Sequence, residues 1–145
     1  MSKLNAGMMT SKTDDWATPA SYFAIVSDEF GPFDVDVCAD SANAKAAKFF
    51  DRETNGLAQD WSGLCWMNHP YGKEIGAWMA KAKESASRGA TVVCLVPSRT
   101  DTRWWHESVQ GHAEVRFIRG RLKFGGAKNS APFPSALVVY RPEVK

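Results

Sequence analysis

The sequence lacks an excess of charge of either sign. Lysine and arginine together number 18 and aspartate and glutamate 16, so the formal net charge is +2 over 145 residues. A protein that binds nucleic acid through its overall field would need a strongly basic composition. Any nucleic-acid contact of this chain therefore depends on a local basic patch.

Cysteine and histidine are scarce. The three cysteines, Cys38, Cys65 and Cys94, each lie in a short apolar run, and no two of them form a Cys-x-x-Cys motif. An odd number of thiols in such settings argues against a disulfide framework and for a reducing compartment. With three histidines and no Cys/His cluster of metal-ligand spacing, we expect no metal site.

Long apolar runs are absent as well. No stretch approaches the roughly 18 apolar residues that a membrane span requires. The N-terminus has no signal-peptide apolar region, so we expect a cytosolic protein without a membrane partner. Residues 1–12, which are polar and without periodicity, are predicted to form a disordered leader, and residues 13–145 a single domain.

What the chain contains is an alternation of helical and strand patterns. Thr18 and Pro19 are residue types preferred at an N-cap and at a first helical position, and apolar residues at helical spacing follow as far as Gly31. Alternating apolar and acidic residues predict a strand over 33–39. A short helix is predicted over 43–50.

The second half continues the alternation. Strands are predicted over 64–67, 91–97, 115–118 and 135–140. Helices are predicted over 73–88 and from a start within 98–102 to about 109, and a basic, glycine-rich hairpin or loop over 119–126. The β-branched run at 91–97 is typical of a central strand covered on both faces. This order predicts an α/β fold with a compact, mostly parallel sheet and a C-terminal hairpin.

The stretch 66–72 joins a predicted buried strand to a predicted helix. Its centre, Asn68-His69-Pro70-Tyr71, places an amide, a proline and an aromatic ring at the end of that strand. It differs by one residue from Asn-Pro-Pro-Tyr, the signature of enzymes that methylate an amine attached to a planar system. Taken alone, it is equally compatible with a strand that ends in a proline turn, with Tyr71 as a half-buried surface ring.

Several further segments occur in the same order as in one family. They are 16–19 (Trp-Ala-Thr-Pro), 36–39 (Asp-Val-Cys-Ala), 43–45 (Asn-Ala-Lys), 56–61 (Gly-Leu-Ala-Gln-Asp-Trp), 66–72, 95–97 (Leu-Val-Pro), 120–124 (Gly-Arg-Leu-Lys-Phe) and 131–135 (Ala-Pro-Phe-Pro-Ser). From about residue 15 to residue 140 the chain resembles the compact, Dam-like DNA N6-adenine methyltransferases that bacteriophages and prophages encode. The resemblance implies a Rossmann-like fold that binds S-adenosylmethionine across the carboxyl ends of its strands and acts on DNA in the cytoplasm of a bacterial host.

The resemblance also implies roles for particular residues. It assigns cofactor binding to Trp16, Thr18, Pro19, Asp36, Ala39 and Asp60, and catalysis to Asn68, His69, Pro70 and Tyr71. Asp36 is either a cofactor ligand or a capping carboxylate, Asp60 either approaches the cofactor or stabilises a turn, and Trp16 either stacks on a bound ring or packs beside the first helix. The chain departs from the family pattern in having histidine at position 69 and no glycine-rich turn after the first strand.

The catalytic assignment has a chemical reason. The exocyclic amine of adenine is a poor nucleophile because its lone pair is delocalised into the ring. Two fixed oxygens that accept both amino hydrogens would aim the lone pair at the methyl group, and the Asn68 side chain can supply one of them. The other is the backbone carbonyl of residue 69, which histidine retains although it lacks the fixed φ of proline. Tyr71 would stack on the base after the base has left the duplex.

Basic residues near the later strands are the candidates for the DNA contact. Arg99, Arg119, Arg121 and Lys123 either bind phosphate groups or form an ordinary solvated surface. Without a segment long enough for a separate recognition domain, a short or relaxed recognition sequence is predicted. A methyltransferase that acts on RNA or on protein glutamine, and a catalytically silent nucleic-acid-binding relative, are the alternative functions. The sequence predicts no oligomeric state.

Overall fold

The computed structural model of the chain describes residues 18–69, 72–124 and 131–142. Its elements are, in chain order, α1 (Ala20–Phe30), β1 (Val35–Asp36), a turn of 3-10 helix (Gly56–Ala58), β2 (Leu64–Met67), α2 (Ile75–Ser87), β3 (Thr91–Pro97), α3 (Arg103–Ser108), β4 (Glu114–Phe117) and β5 (Ser135–Tyr140). The predicted leader at 1–12, and Trp16, Pro70 and Tyr71 among the predicted site residues, lie outside the described residues.

The strands form one mixed sheet with the order β1-β2-β3-β5-β4. β1 pairs with β2 and β2 with β3 in parallel, whereas β5 is antiparallel to both of its neighbours, β3 and β4. The α/β prediction is confirmed, but the expectation of a mostly parallel sheet is not, because the longest ladder is the antiparallel one between β3 and β5. An apolar strand covered on both faces has the same sequence pattern in either direction, so the pattern did not predict how β5 runs.

Two apolar clusters lie on opposite faces of the sheet. Val92, Cys94 and Val96 of β3 belong to the cluster that includes the apolar sides of α2 and α3. Val93 and Leu95 belong to the cluster that includes the apolar side of α1. Alternate residues of one strand are therefore buried against different helices, which confirms the prediction that 91–97 is a central strand covered on both faces.

Helix α1 begins later than its sequence signals predict. Pro19 occupies the N-cap position, no side chain caps the helix, and the Pro19 carbonyl accepts a hydrogen bond from the N–H of Phe23 at 2.9 Å. The N-cap prediction for Thr18 is therefore wrong, since its hydroxyl group bonds to the loop that follows β2. Gly31 ends the helix, as predicted, with a φ of 92° that a residue with a side chain rarely adopts.

The helix predicted over 43–50 does not form. The N–H of Lys45 donates to Asp36 at 2.9 Å, and the segment then runs beside β1 with a parallel bridge between Asp36 and Phe49. The carboxylate of Asp40 accepts hydrogen bonds from two of the backbone N–H groups that follow it. The N–H of Phe50, which a helix would bond to the carbonyl four residues earlier, donates instead to the carbonyl of Asp36 at 2.9 Å. Pairing of this segment with β1 therefore overrides the helical spacing of the apolar residues.

The remaining elements are present with shifted ends. Of the strand predicted over 33–39 only Val35–Asp36 is regular, and α2 begins at Ile75. Thr102 caps α3, with its hydroxyl oxygen accepting from the N–H of Trp105 at 3.3 Å. The described part of the 119–126 segment, residues 119–124, contains no strand. No helix among the described residues is long and apolar enough to cross a membrane.

Candidate active site

The carboxyl ends of four strands share one edge of the sheet. The pairings give β1, β2, β3 and β4 a common direction, and β5 the opposite one. In the order of the sheet, this edge therefore carries Asp36 at the end of β1, Asn68 after β2, Arg99 beyond β3 and Arg119 beyond β4. Ligands of open α/β sheets bind outside the carboxyl ends of the strands. This edge, called the active-site edge below, is the candidate functional site.

Asn68 follows the second strand of the sheet, between Asp36 and Arg99 along the active-site edge, and is bonded to Thr18. Its side-chain Nδ2 donates to the hydroxyl oxygen of Thr18 at 2.9 Å, across 50 positions of sequence. Thr18 is 5% exposed, so the bond is shielded from water. With its nitrogen directed at Thr18, the amide presents its oxygen away from Thr18. Sequence reasoning missed this contact, and the only signal was that both residues lie in segments that resemble the same family.

His69 packs against the helix that follows the loop. Its ring centroid lies 4.6 Å from that of Trp78, with 34° between the planes. Its Nε2 lies 3.9 Å from a carboxylate oxygen of Glu74, which is the N-cap residue of α2. The histidine side chain is only 13% exposed. The imidazole is thus part of the packing between the loop and α2, although its sequence position suggested only a missing proline.

Asp36 is buried at the end of β1, with 2% of its surface exposed. Its two carboxylate oxygens accept hydrogen bonds from the N–H of Cys38 at 3.2 Å and from the N–H of Lys45 at 2.9 Å. Burial raises the pKa of this carboxyl to about 7, although both backbone bonds act in the opposite direction. These contacts are those of a capping carboxylate, one of its two predicted roles. A cation bound beside it would favour its ionised form.

The other residues assigned to the cofactor lie in less distinctive settings. Ala39 is half-buried, and its N–H donates to the carbonyl of Phe50 at 3.0 Å. Pro19 lies next to Thr18 at the start of α1. Asp60 is exposed, in the connection between the 3-10 turn and β2. The structure therefore brings Thr18 and Asn68 into contact and leaves Asp60 on the surface.

The predicted DNA-contacting residues flank the amino end of β5. The N–H of Ser98 donates to the carbonyl of Pro134 at 2.9 Å, and the N–H of Ile118 to that of Ser135 at 3.1 Å. These bonds hold the chain segments beyond β3 and β4 against the same strand. All four basic residues on these segments are exposed, namely Arg99, Arg119, Arg121 and Lys123. Arg99 also lies over the ring of Phe133, 5.7 Å from its centroid.

Burial keeps the thiols in their unreactive form. It raises the pKa of Cys38 and of Cys65 to about 12, so both are protonated at neutral pH. Cys65 and Cys94 are buried and Cys38 is half-buried, and they pack as small apolar side chains. In the part of the chain that the structure describes, no three His, Cys, Asp or Glu residues lie close enough together to hold a metal ion.

The amino-acid sequence of the chain is similar to those of known proteins. Residues 5–142 match the sequence model of the family described as DNA N-6-adenine-methyltransferase (Dam). The DNA N-6-adenine-methyltransferase of Haemophilus phage HP1 is 32% identical over 141 residues, which cover 92% of this chain and 82% of that protein. The DNA N-6-adenine-methyltransferase of Escherichia phage T1 is 31% identical over 111 residues, which cover 75% of this chain and 46% of that protein.

Proposed function

Since the chain belongs to the DNA N-6-adenine-methyltransferase (Dam) family, we propose that it transfers a methyl group from S-adenosylmethionine to the exocyclic amine of adenine in DNA. The observation that supports this proposal most directly is the position of Asn68. It lies directly after β2, between Asp36 and Arg99 along the active-site edge, and its amide nitrogen donates to Thr18, so the amide oxygen points away from Thr18.

The amide oxygen of Asn68 and the backbone carbonyl of residue 69 accept the two amino hydrogens of the target adenine. Accepting both hydrogens localises the nitrogen lone pair, which is otherwise delocalised into the ring, and aims it at the methyl group. A fixed acceptor is more effective than a mobile one because it needs no reorganisation during the reaction. Tyr71, which the resemblance places under the base, contributes stacking of about 1–3 kcal/mol. No strong general base is needed, since the product proton can pass to water.

The β1–β2 side of the active-site edge has the chemistry that S-adenosylmethionine requires. The cofactor carries a sulfonium, an ammonium group and ribose hydroxyls, which are cations and hydrogen-bond donors. Asp36 at the end of β1 offers a carboxylate, and Thr18, which is bonded to Asn68 after β2, offers a hydroxyl oxygen, so both can act as acceptors. When bound, the cofactor supplies an electrophilic methyl group on a positively charged sulfur. The fold we propose is accordingly a Rossmann-like methyltransferase domain in which β5 is the reversed strand.

The β3–β4 side of the active-site edge provides the DNA surface. Four exposed cationic residues, Arg99, Arg119, Arg121 and Lys123, flank the amino end of β5. Each can neutralise a phosphate, and phosphate contacts supply most of the affinity of a protein that reads few bases. The duplex would then lie beside Asn68, from which a flipped adenine can reach the loop. We place this activity in the cytoplasm of a bacterial host.

The test is methyl transfer from labelled S-adenosylmethionine to DNA. We expect label in N6-methyladenine from duplex DNA and much less in RNA or in protein glutamine. Asn68→Ala serves as the control, because it removes one acceptor and leaves the cofactor side of the site unchanged. If the wild-type chain binds the cofactor but labels no DNA, the proposed function is wrong. Stronger labelling of RNA or of protein would identify one of the alternative substrates.

A further inference from the structure

Position 69 carries a histidine where the family loop that this chain resembles has a proline. A proline ring fixes φ near −65° and thereby fixes the direction of the backbone. In the proposed function, on which this inference rests, the carbonyl of residue 69 accepts one amino hydrogen of the target adenine. Because histidine leaves φ free, the carbonyl needs another restraint if it is to stay in place.

The His69 ring is restrained from the side of α2. It lies 4.6 Å, centroid to centroid, from the ring of Trp78 at 34°, and only 13% of the side chain is exposed. Aromatic rings at this separation attract each other in addition to burying apolar surface. Glu74 lies 3.9 Å from the imidazole Nε2, but its side chain is 70% exposed, so solvent screens the pair. Of these two contacts, the one with Trp78 therefore restrains the His69 ring more strongly.

Trp78 is itself buried and packed against a second ring. It is 5% exposed, and its ring centroid lies 5.8 Å from that of Trp61 at 30°. The indole N–H of Trp61 donates to the carbonyl of Gly56 at 2.8 Å. A Cβ on Gly56 would lie 2.1 Å from the carbonyl oxygen of Val37 and 2.9 Å from a ring carbon of Trp78, so only glycine lets the 3-10 turn approach. The 3-10 turn thus supports a stack of three rings.

We propose that this ring stack, Trp61, Trp78 and His69, replaces the proline as the device that orients the carbonyl of residue 69. The imidazole is joined to the backbone through a single Cβ, so a ring held against Trp78 restricts the torsions of its own residue. His69 and Trp78 are positioning residues in this role, and the carbonyl itself contacts the substrate. The stack also gives a reason for the family-like segment 56–61, which supplies the two residues that hold Trp78.

The test removes the ring stack with and without a proline at position 69. Trp78→Leu is expected to lower kcat by about 10-fold, equivalent to about 1.4 kcal/mol, when residue 69 is histidine. With His69→Pro in the same chain the loss falls to about 2-fold, because proline fixes φ without help from a neighbouring ring. The KM for DNA and the affinity for the cofactor stay unchanged. Equal losses of kcat with histidine and with proline would overturn the proposal.

Trp105→Leu is the matched control. Trp105 is as buried as Trp78, and its ring contacts that of Trp104. Among the described residues, no ring contact joins Trp105 to His69. It should destabilise the fold to a similar extent, and His69→Pro should restore none of its kcat. If Trp78→Leu does not fold, His69→Ala makes the same test, since it removes a half-buried ring and leaves the core intact. An unchanged kcat in His69→Ala would overturn the proposal.

Hydrogen exchange of the peptide 64–69 tests the ring stack without methyl transfer. Trp78→Leu should accelerate its exchange, and His69→Pro in the same chain should slow it again. If the exchange changes in this way but the wild-type chain methylates no DNA, the proposed function is wrong and the ring stack still restrains the loop. If the wild-type chain is active and the exchange does not respond to Trp78→Leu, the ring stack does not restrain the loop.

Discussion

The two ends of the active-site edge are built in opposite ways. At the β1–β2 end the functional groups are buried and individually bonded, with Asp36 2% and Thr18 5% exposed. At the β3–β4 end the four basic residues are exposed, on segments that backbone bonds and the packing of Ile118, Leu122 and Phe124 hold against the sheet. A buried, bonded group tolerates little displacement, whereas an exposed cation on a long side chain reaches any phosphate nearby.

The two ends of the active-site edge therefore suit two different ligands. Fixed groups suit a ligand whose atoms must be aligned to within a fraction of an ångström, which is the requirement for methyl transfer. Mobile cations suit a polyanion that is held without being read base by base. Substitutions at the first end should therefore change kcat or cofactor affinity, and substitutions at the second should change DNA affinity and its dependence on salt.

The largest effect is expected from Asn68→Ala. It removes one of the two acceptors of the amino hydrogens, and loss of one such preorganised group costs about 100–1000-fold in kcat. We expect a loss at the upper end of this range, measured as single-turnover methyl transfer, because the amine is a poor nucleophile without both acceptors. Cofactor affinity by calorimetry and DNA affinity should match the wild type. A variant that retains turnover would refute the role assigned to Asn68.

The next effect is expected from Thr18→Val, which keeps the shape of the side chain and removes the hydroxyl. The Asn68 amide then loses this hydrogen bond and is held less firmly, so we expect kcat to fall about 10–100-fold, or about 1.4–2.7 kcal/mol. Thr18→Ser, which keeps the hydroxyl, should stay within about threefold of the wild type. A rise in the dissociation constant of the cofactor at unchanged kcat would instead support the cofactor-binding role that the resemblance implies.

The sequence predicted the position of Asn68 because a buried run, 64–67, ends directly before it. It did not predict the Thr18–Asn68 bond, since contacts across 50 residues depend on the angle at which α1 meets the sheet. The helix expected at 43–50 failed for a related reason, because the N–H of Phe50 donates to the carbonyl of Asp36 in β1 and not to the carbonyl four residues before it. Local patterns predict where strands lie, whereas tertiary hydrogen bonds decide which backbone donors remain for a helix.

The pH dependence of stability and of cofactor affinity tests whether Asp36 binds the cofactor or only caps backbone N–H groups. Burial raises the pKa of its carboxyl from 3.8 to about 7, so the folded chain binds more protons than the unfolded one between these values. Its contribution to stability is therefore present at low pH and is lost as pH rises through about 7. If the ionised form binds the cofactor, cofactor affinity should change the other way, rising about 10-fold from pH 6 to pH 8.

Thermal unfolding measures how the stability of the chain changes with pH, and calorimetry measures how the affinity for the cofactor changes with pH. Asp36→Asn, which does not ionise, should abolish both slopes that this carboxyl causes. A wild-type chain in which stability falls with pH while cofactor affinity stays level would identify Asp36 as a capping carboxylate alone. In that case its contribution to the site is to hold the N–H groups of Cys38 and Lys45 in place.

The smallest effect is expected from Arg121→Ala, at the exposed end of the active-site edge. A single solvated phosphate contact is worth little, so we expect DNA affinity to fall only about 2- to 5-fold. The loss should be the same for all DNA sequences, and the slope of log affinity against log salt should decrease by about one. Arg88→Ala is the matched control and should leave the slope unchanged, because this exposed cation ends α2 at the opposite edge of the sheet. A loss confined to one sequence would show that Arg121 reads a base, and a strict recognition site longer than about four base pairs would then be expected.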